Sequence, residues 1–434
     1  MENTKTIAKA RQGLHGTIEI PGDKSISHRS VMFSALGSTP VHITNFLHAQ
    51  DCLSTAACMK ALGASVEFES ETALTVCGHG LHGLKEASTI IDAGNSGTTL
   101  RLMMGILAPQ PFLTTFTGDA SLHKRPMGRV IKPLSAMGAK IYGRENNTKL
   151  PITIVPAASR LHGMVYESPV ASAQVKSAIL LAGMYADGPT TVVEPFISRD
   201  HTERMLEAFG VETKKEGTAV TIEPVDSFRA PEAIEVPGDI SSAAYWLVAG
   251  SVVPGSSLLL KNVGVNPTRT GILDVLKAMG ASVTLENERV SGGEAAADIR
   301  VEAAKLHGTS FGAEIMPRLI DEIPVIAVAA LFAEGDTVIT GAGELRVKET
   351  DRLQAITDEF NKLAPGSVEA SEDGLVIHGG TKVQCANCFS YDDHRMAMSL
   401  AILGTAGEGV EIERPDCVNI SYPAFYGTLA RLQA

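Results

Sequence analysis

The chain has 434 residues, of which 44% are apolar, enough for two or three domains with packed cores. Its 37 Lys and Arg against 49 Asp and Glu give a net charge of −12, which argues against a general nucleic-acid binder with a basic face. The acidic balance does not exclude an anionic small-molecule substrate, because a site can be locally basic in an acidic protein.

Several other classes are excluded by the composition. The first residues, Met1–Gly13, lack the apolar stretch of a secretory signal peptide, so none is predicted. The longest apolar run, about a dozen residues near Ile323–Ala333, is too short to span a bilayer. Six cysteines do not form a disulfide framework in a chain of this length, and Cys385 with Cys388 is interpreted as a chance pair. We therefore expect a cytoplasmic protein that binds no metal and no membrane.

Taken in chain order, six segments share one design of small polar residues, an apolar helical run and usually a glycine. They begin near Gly22, Asn95, Val170, Gly238, Asp321 and Asp393. Four of the stretches between them hold a second helix ending in glycine, followed by β-branched residues that suit a strand. Each unit is thus predicted to contain a helix, a strand, a second helix and further strands over about 72 residues. Six such units make an α/β protein.

The two halves of the chain resemble each other. The word Ile20–Ser25 recurs as Val236–Ser241, about half the chain later, which predicts a duplication with three units in each half. The runs Ser177–Met184 and Val325–Phe332 are apolar on nearly all faces, which is typical of helices buried on all sides.

The predicted helix starts carry the polar chemistry. Helix N-termini present free N–H groups and partial positive charge, so they bind anions readily. Ser, Asn and Asp also serve as ordinary N-caps, which explains any single start but not six starts with cations at several. The residues at these starts are Lys24, Ser25, Arg29, Asn95, Ser96, Gly97, Ser172, Gln174, Asp393, His394 and Arg395.

Three further stretches add charge: Gly118–Met127, Arg346–Arg352 and Asp392–Arg395. Charge runs are often just solvated faces, so a solvated loop is the alternative interpretation of each stretch taken alone, and the less favoured one. Arginine binds phosphate and carboxylate with its planar fork, and carboxylates among such cations can transfer protons. No P-loop and no dinucleotide-binding glycine motif is present, so the expected anion is not a nucleotide.

Five motifs together resemble the 5-enolpyruvylshikimate-3-phosphate synthase family of enolpyruvyl transferases, in the family's order, from about residue 13 to the last residues. These are Pro21–Arg29, Asn95–Arg101, Gly118–Met127, Arg346–Arg352 and Asp392–Arg395. The resemblance implies a two-domain inside-out α/β barrel with three βαβαββ repeats per domain. It places residues 1–20 with 236–434 in one domain and 21–235 in the other, with the active site in the cleft between them.

The resemblance also implies the reaction. The 5-hydroxyl of shikimate 3-phosphate attacks C2 of phosphoenolpyruvate while C3 is protonated, and the adduct then loses phosphate, as a step of the shikimate pathway to chorismate and the aromatic amino acids. No metal or organic cofactor is implied. The expected partners are these two small anions, without nucleic acid or membrane, and the expected state is a monomer.

Roles follow from the matched motif positions. Asp321 corresponds to the carboxylate that takes the hydroxyl proton, Glu349 to the residue that exchanges protons at C3, and Lys24 to the lysine that contacts both substrates. The residues matched to shikimate 3-phosphate are Lys24, Ser25, Arg29, Ser172, Gln174, Ser198, Asp321 and Lys348. Those matched to phosphoenolpyruvate are Lys24, Gly97, Arg125, Gln174, Arg352 and Arg395.

Three positions depart from the common family pattern. Ala173 stands where many members have a second serine, Glu344 where some have asparagine, and Ile420 where many have a lysine near phosphoenolpyruvate. These departures resemble the family's second class, whose members often tolerate the inhibitor glyphosate. Since position 97 is glycine and not the crowding alanine of one tolerant type, we expect glyphosate to enter the site.

Two alternative functions share part of this pattern. The enolpyruvyl transferase that acts on UDP-N-acetylglucosamine shares the fold and the donor, but it typically has a loop cysteine where this chain has Ala120–His123, and asparagine where this chain has Ser25. A noncatalytic sixfold clamp around a polymer would spread basic residues along all six helices. Here the cations gather at motif starts beside carboxylates, which favours a closed cleft that compacts when both ligands bind.

Overall fold

The computed structural model describes residues 4–291 and 293–434, and the chain divides into two compact units. The split unit consists of the N-terminal segment up to Pro21 with Pro237–Arg289 and Ala295–Ala434. The inserted unit consists of Gly22–Val236 with the short segment Val290–Glu294. Among the described residues, no helix combines the length and apolarity needed to cross a membrane.

Two strands of the split unit, β1 (Thr4–Ile7) and β2 (His15–Glu19), precede the inserted unit. The elements of the inserted unit are α1 (Lys24–Ser34), β3 (Val41–Thr44), α2 (Gln50–Ala61), β4 (Ser65–Phe68), β5 (Leu74–Cys77), β6 (Ile91–Asp92), α3 (Gly97–Leu107), β7 (Thr114–Thr117), α4 (Gly128–Ala136), β8 (Lys140–Gly143), α5 (Arg144–Asn147), β9 (Lys149–Val155), β10 (Val165–Glu167), α6 (Ala173–Gly183), β11 (Thr190–Val193), α7 (His201–Ala208), β12 (Thr213–Glu216), β13 (Ala219–Ile222) and β14 (Ala233–Glu235).

The chain then completes the split unit. Its remaining elements are α8 (Ile240–Val252), β15 (Ser257–Gly264), α9 (Gly271–Ala278), β16 (Ser282–Ser291), β17 (Glu294–Glu302), β18 (Ser310–Phe311), α10 (Met316–Leu319), α11 (Ile323–Phe332), β19 (Asp336–Ile339), α12 (Arg352–Leu363), β20 (Val368–Ala370), β21 (Leu375–His378), β22 (Asn387–Phe389), α13 (His394–Ala406), β23 (Val410–Glu413) and α14 (Phe425–Gln433).

Three repeats form the inserted unit, and their long helices are buried. Its sheets have the strand orders β14-β3-β5-β4, β6-β7-β9-β8 and β10-β11-β13-β12, each with one parallel pair. The second and third repeats follow the predicted βαβαββ order. In the first repeat the leading strand is β14, which comes from the last segment of the unit and pairs parallel with β3. Helix α3 packs on both α1 and α6, so the apolar runs lie at the centre of the unit.

The split unit follows the same plan around α8, α11 and α13, which pack on one another. Its sheets have the orders β16-β17-β15-β2, β18-β19-β21-β20 and β1-β23-β22. Helix α11 is buried along almost its whole length, as its apolar sequence predicts. The α/β fold with three repeats per unit is therefore confirmed.

The last repeat of the split unit is the one that differs from the predicted pattern. After β23 the chain forms a 3₁₀ helix at Pro415–Ile420 and then α14, instead of a helix with two further strands. Phe425 of α14 stacks on Trp246 of α8 with ring centroids 5.1 Å apart, and β1 pairs antiparallel with β23. Aromatic packing and a strand from the N-terminal segment thus cover the core that the missing strand pair covers elsewhere.

Side-chain capping accounts for four of the six predicted helix starts and leaves two unexplained. At α6 the N-cap residue Ser172 makes no side-chain cap bond, and at α11 the N-cap residue Glu322 makes none. The four capped starts are those of Asp23 (to the Ile26 N–H, 2.9 Å), Ser96 (to the Thr99 N–H, 3.1 Å), Asp239 (to the Ser241 N–H, 2.8 Å) and Asp393 (to the Arg395 N–H, 2.8 Å). At the start of α11 the Glu322 carboxylate accepts the hydroxyl of Ser241, and at the start of α6 the backbone N–H of Ser172 donates to Glu194.

The close packing of α3 on α6 makes a stability prediction. A Cβ atom at Gly105 of α3 would lie 2.2 Å from the carbonyl oxygen of Ala178, so the two helices would have to move apart. We expect Gly105→Ala to reduce the free energy of unfolding by about 1–3 kcal/mol, the usual cost of overpacking a core.

The matched control is Gly427→Ala in α14, where the added Cβ would meet no described atom within 4 Å beyond its chain neighbours and the adjacent backbone of its own helix. That variant is expected to be neutral or to gain up to about 1 kcal/mol from better helix propensity. Urea unfolding followed by circular dichroism measures both changes, and equal effects in the two variants would contradict the packing argument.

Candidate active site

The guanidinium of Arg29 joins three helices of the inserted unit. Its Nε donates to the hydroxyl of Thr202 in α7 (2.7 Å), and one terminal nitrogen donates to the hydroxyl of Ser177 in α6 (2.9 Å). The other terminal nitrogen donates to the carbonyl of Ser25 in α1 (3.0 Å). Burial lowers the pKa of Arg29 to about 10, with Glu203 opposing the shift, so the group is still a cation at neutral pH. The structure thus brings Arg29 and Ser25 into one hydrogen-bonded group.

Lys24 lies at the first position of α1, beside a carboxylate of the next helix. Its ammonium is 3.2 Å from Asp51 of α2, and its side chain is 21% exposed. The lysine is therefore held in place by a partner yet accessible to a ligand, as a residue that contacts substrate has to be.

A second group links the starts of α3 and α6. Arg101 donates to the side-chain carbonyl of Gln174 (2.6 Å), and the amide of Gln174 donates to the hydroxyl of Thr98 (3.0 Å). A Cβ at Gly97 would lie 2.9 Å from a terminal nitrogen of Arg101 and 3.5 Å from one of Arg125. Glycine at position 97 therefore leaves room for two guanidinium groups beside the start of α3.

Arg125 is oriented by the loop that carries it and by the residue before the cap of α3. It donates to the side-chain carbonyl of Asn95 (2.9 Å), whose amide in turn donates to Asp119 (2.6 Å). The structure thereby places the predicted residues Gly97, Arg125 and Gln174 in one neighbourhood of the inserted unit.

A buried relay of side chains supports the start of α3 from behind. His28 Nδ1 lies 2.6 Å from the hydroxyl of Thr55, which lies 2.6 Å from that of Thr99, and Thr99 donates to Ser96 (2.7 Å). Since each hydroxyl has one proton, this direction makes His28 the first donor, with its proton on Nδ1. The pKa of His28 lies well below its usual value because of burial and of the nearby cations Lys24 and Arg29, so the imidazole is neutral.

In the split unit, Asp321 is surrounded by three cations. Its carboxylate lies 3.6 Å from Lys348, 3.6 Å from Arg352 and 3.9 Å from Arg395, and its side chain is 14% exposed. Cations at such distances favour the ionised form of a carboxylate. The arrangement suits a group that accepts a proton from a bound ligand and then returns it.

Arg352 and Arg395 are themselves held by carboxylates. Arg352 lies 2.8 Å from Asp393 and 2.7 Å from Glu349. Burial alone would lower the pKa of Arg352, but the attraction of Asp393 and Glu349 outweighs it and raises the pKa. Burial alone would also lower the pKa of Arg395, but the attraction of nearby acidic groups, Asp321 above all, outweighs burial and raises this pKa. Both groups are therefore permanent cations, as a site for phosphate and carboxylate requires.

A buried network lies beneath this cluster at the starts of α8 and α11. The hydroxyl of Ser241 donates to Glu322, and Arg269 donates to Ser241 (2.7 Å) and to Asp239 (3.2 Å). Glu322 lies 3.8 Å from Arg395, so the network reaches the residues around Asp321.

Sequence reasoning missed several members of these groups. Arg101 lies in the motif Asn95–Arg101 without a predicted role, and the sequence pattern predicts no role for Glu322 or Arg269. Lys176 and Glu194 were also missed, although both are charged residues within or beside apolar segments, and that combination is a usable signal because unpaired charges are rarely buried.

The structure also places the three residues that depart from the family pattern and the cysteine pair. Ala173 is the first residue of α6, Glu344 lies in the 3₁₀ helix Gly343–Val347, and Ile420 is half-buried at the end of the 3₁₀ helix Pro415–Ile420. Cys385 is exposed and Cys388 is buried. Within the described parts of the chain, no group of His, Cys, Asp and Glu is arranged to hold a metal ion.

Comparison with known proteins gives full-length matches. The profile of the EPSP synthase family (3-phosphoshikimate 1-carboxyvinyltransferase) matches residues 8–429. The 3-phosphoshikimate 1-carboxyvinyltransferase of Desulforamulus reducens is 50% identical over 417 residues, 96% of each chain, and that of Bacillus cereus strain 03BB102 is 52% identical over 429 residues, 99% of each chain. The solved structure of EPSP synthase from Acinetobacter baumannii has a TM-score of 0.88 at 42% identity, covering 99% of this chain and 98% of that chain.

The buried neutral His28 makes a prediction for the pH dependence of stability. Because its folded pKa lies below the value of 6.5 for a free histidine, the unfolded chain binds more protons in acid, and stability falls as the pH drops below 6.5. We expect His28→Asn, which cannot titrate but keeps an N–H donor for Thr55, to flatten the decline of Tm between about pH 6.5 and pH 5.

Thermal unfolding at a series of pH values measures this decline. His15→Asn, at an exposed histidine, is the control and should keep the slope of the unmodified protein. Identical slopes for all three proteins would show that His28 does not contribute to the acid sensitivity.

Proposed function

The chain belongs to the EPSP synthase family, and on that premise we propose that it transfers the enolpyruvyl group of phosphoenolpyruvate to the 5-hydroxyl of shikimate 3-phosphate, releasing phosphate. The observation that carries the proposal is the Asp321 cluster, a carboxylate among three cations in a chain whose curated relatives are named for this reaction. Membership of this family also favours an enzyme over a polymer clamp.

The proposed reaction uses Asp321 as the base. The 5-hydroxyl oxygen bonds to C2 of phosphoenolpyruvate as Asp321 takes the hydroxyl proton, and the double-bond electrons take up a proton at C3. Glu349, 2.7 Å from the fixed cation Arg352, is the proposed carrier of the C3 proton. Loss of a C3 proton then restores the double bond as the C2–phosphate bond breaks and phosphate leaves.

The cations bind and stabilise the charges of this sequence. We propose Gly97, Arg125, Arg352 and Arg395 as the phosphoenolpyruvate residues, with Lys24 and Gln174 contacting both substrates. The shikimate 3-phosphate residues of this proposal are Ser25, Arg29, Ser172, Ser198, Asp321 and Lys348. Fixed guanidinium groups suit this role because they need no reorganisation as negative charge moves between oxygens.

Residues of both units enter this scheme, and we propose that they act on the same pair of substrates. Support comes from the motifs of both units, which resemble one family in one order. The proposal includes a cytoplasmic monomer that needs neither metal nor organic cofactor, because acid–base groups and cations supply each step.

The test follows phosphate release from shikimate 3-phosphate and phosphoenolpyruvate. Asp321→Asn keeps the shape of the side chain but cannot take the hydroxyl proton, so we expect kcat to fall by about 10²–10⁴-fold, the usual contribution of a positioned base. The matched control Asp336→Asn removes an exposed carboxylate on β19 and should leave kcat unchanged.

Two results would contradict the proposal. If the unmodified protein releases no more phosphate than a Lys24→Ala variant, the assigned reaction is wrong. If Asp321→Asn retains full kcat, the reaction stands but Asp321 is not its base.

A further inference from the structure

Glu194 connects two serines that the proposed function assigns to shikimate 3-phosphate. It follows β11 directly, and its side chain is 2% exposed. One carboxylate oxygen accepts the backbone N–H of Ser172 (2.8 Å). The other accepts both the hydroxyl (2.7 Å) and the backbone N–H (3.3 Å) of Ser198. One buried carboxylate thus sets the relative position of two residues that are far apart in the sequence.

Lys176 balances the charge of this carboxylate. Its ammonium lies 3.1 Å from Glu194 and 2.7 Å from Glu203, and it donates to the carbonyl of Ser198 (3.4 Å). Burial alone would lower the pKa of Lys176, but Glu203 and Glu194 outweigh it and raise the pKa, so the ammonium is charged. A negative ligand near the serines therefore faces a paired carboxylate rather than an isolated one.

The proton of the Ser198 hydroxyl cannot serve two acceptors at once. In this structure the Ser198 hydroxyl donates its proton to Glu194. A phosphate group bound here would need the same proton, because its oxygens accept hydrogen bonds. When the hydroxyl turns to a phosphate oxygen, Glu194 keeps the backbone N–H of Ser198 and the ammonium of Lys176. The carboxylate is thus stabilised in both arrangements, and the exchange replaces one charge-assisted hydrogen bond by another.

The hydroxyl of Ser172 is not used by Glu194 or by the helix cap. Ser172 is the N-cap residue of α6, yet its side chain makes no cap bond, while its backbone N–H is held by Glu194. Glu194 therefore orients the backbone of Ser172 without using its hydroxyl.

We propose that Glu194 is a positioning residue for the phosphate group of shikimate 3-phosphate, holding Ser172 and Ser198 in place and releasing the Ser198 hydroxyl to the phosphate. The inference rests on the proposed function, because it takes the identity of the ligand from there. Glu194 does not itself contact the ligand in this scheme.

Whether a change at Glu194 strengthens or weakens binding of the anion distinguishes a positioning role from a simple effect of charge. Removal of a buried negative charge close to a phosphate site should strengthen binding of the anion if charge alone matters. Removal of the group that orients the phosphate donors should weaken it. The variant Glu194→Gln removes the charge at nearly constant shape, so the two effects oppose each other and the direction of change decides.

The experiment measures the dissociation constant of shikimate 3-phosphate by titration calorimetry and both KM values by phosphate release. We expect Glu194→Gln to raise the dissociation constant and the KM of shikimate 3-phosphate by about tenfold or more, the effect of one lost charge-assisted hydrogen bond. The KM of phosphoenolpyruvate should change by less than about threefold, since the contacts of Glu194 within the described residues are with Ser172, Ser198 and Lys176 and not with Arg125, Arg352 or Arg395.

Glu203→Gln is the matched control. It removes the other carboxylate that pairs with Lys176, and Glu203 makes no hydrogen bond to either serine among the described contacts. Positioning by Glu194 predicts that this variant binds shikimate 3-phosphate as well as, or better than, the unmodified protein. A double variant with Ser198→Ala adds a second measurement, because residues that act through each other have non-additive effects.

Each outcome decides. Tighter binding of shikimate 3-phosphate by Glu194→Gln, or equal weakening by both Gln variants, would overturn the proposal, as would equal changes in both KM values. If Glu194→Gln does not fold, Glu194→Asp keeps the charge but withdraws the carboxylate by one methylene group, and the same selective loss is expected. Absence of binding and turnover in the unmodified protein would instead refute the proposed function.

Discussion

The chemistry of both units depends on how the starts of buried helices are satisfied. A helix that is apolar on all faces, such as α11, must end its backbone hydrogen bonding inside the protein, where unpaired polar groups are costly. The chain meets this demand by gathering carboxylates, hydroxyls and guanidinium groups at the helix starts. Because these groups partner one another, the unit acquires a fixed set of charges at one end of its central helices.

This constraint explains why the two copies of the repeated sequence segment have different surroundings. Asp23 and Asp239 occupy matching positions in the duplicated word, and each caps its helix. The next residue is Lys24 in one copy, where it pairs with Asp51 and is partly exposed, and Ile240 in the other, where it is buried. The first copy therefore has a partly exposed cation, whereas the second copy is buried and bonded to Arg269 and Glu322. The duplication preserved the cap and changed the chemistry.

Burial also explains how an acidic protein can hold anions. The net charge of −12 is spread over the whole chain, whereas Arg352, Arg395 and Arg29 are almost fully buried. A buried ion pair gains little net stability, because desolvation of both groups offsets their attraction. Such cations stabilise a site more by being immobile than by strengthening the fold, since they are already oriented when a ligand arrives.

The sixfold pattern of helices, the buried character of the apolar runs and the main cations could be predicted from the sequence, since each depends on neighbours within one turn or one repeat. The divergence of the last repeat could not, because it depends on the packing of Phe425 against Trp246 across the split unit. The relay from His28 to Ser96 was equally hidden, since a small hydroxyl residue carries no local sign of its distant partner.

Local sequence by itself therefore determined which elements form and which residue types lie at their starts. The reason is that helix periodicity, N-caps and C-terminal glycines depend only on residues close together in the sequence. Only the tertiary structure decided which of these residues become partners. Glu194 and Ser172 are brought together by the packing of a strand end on a helix start, and so are Arg101 and Gln174 by the packing of α3 on α6. Long-range packing fixes distances that no local pattern records, and the distances decide which charges are paired and which donors are held in place for a ligand.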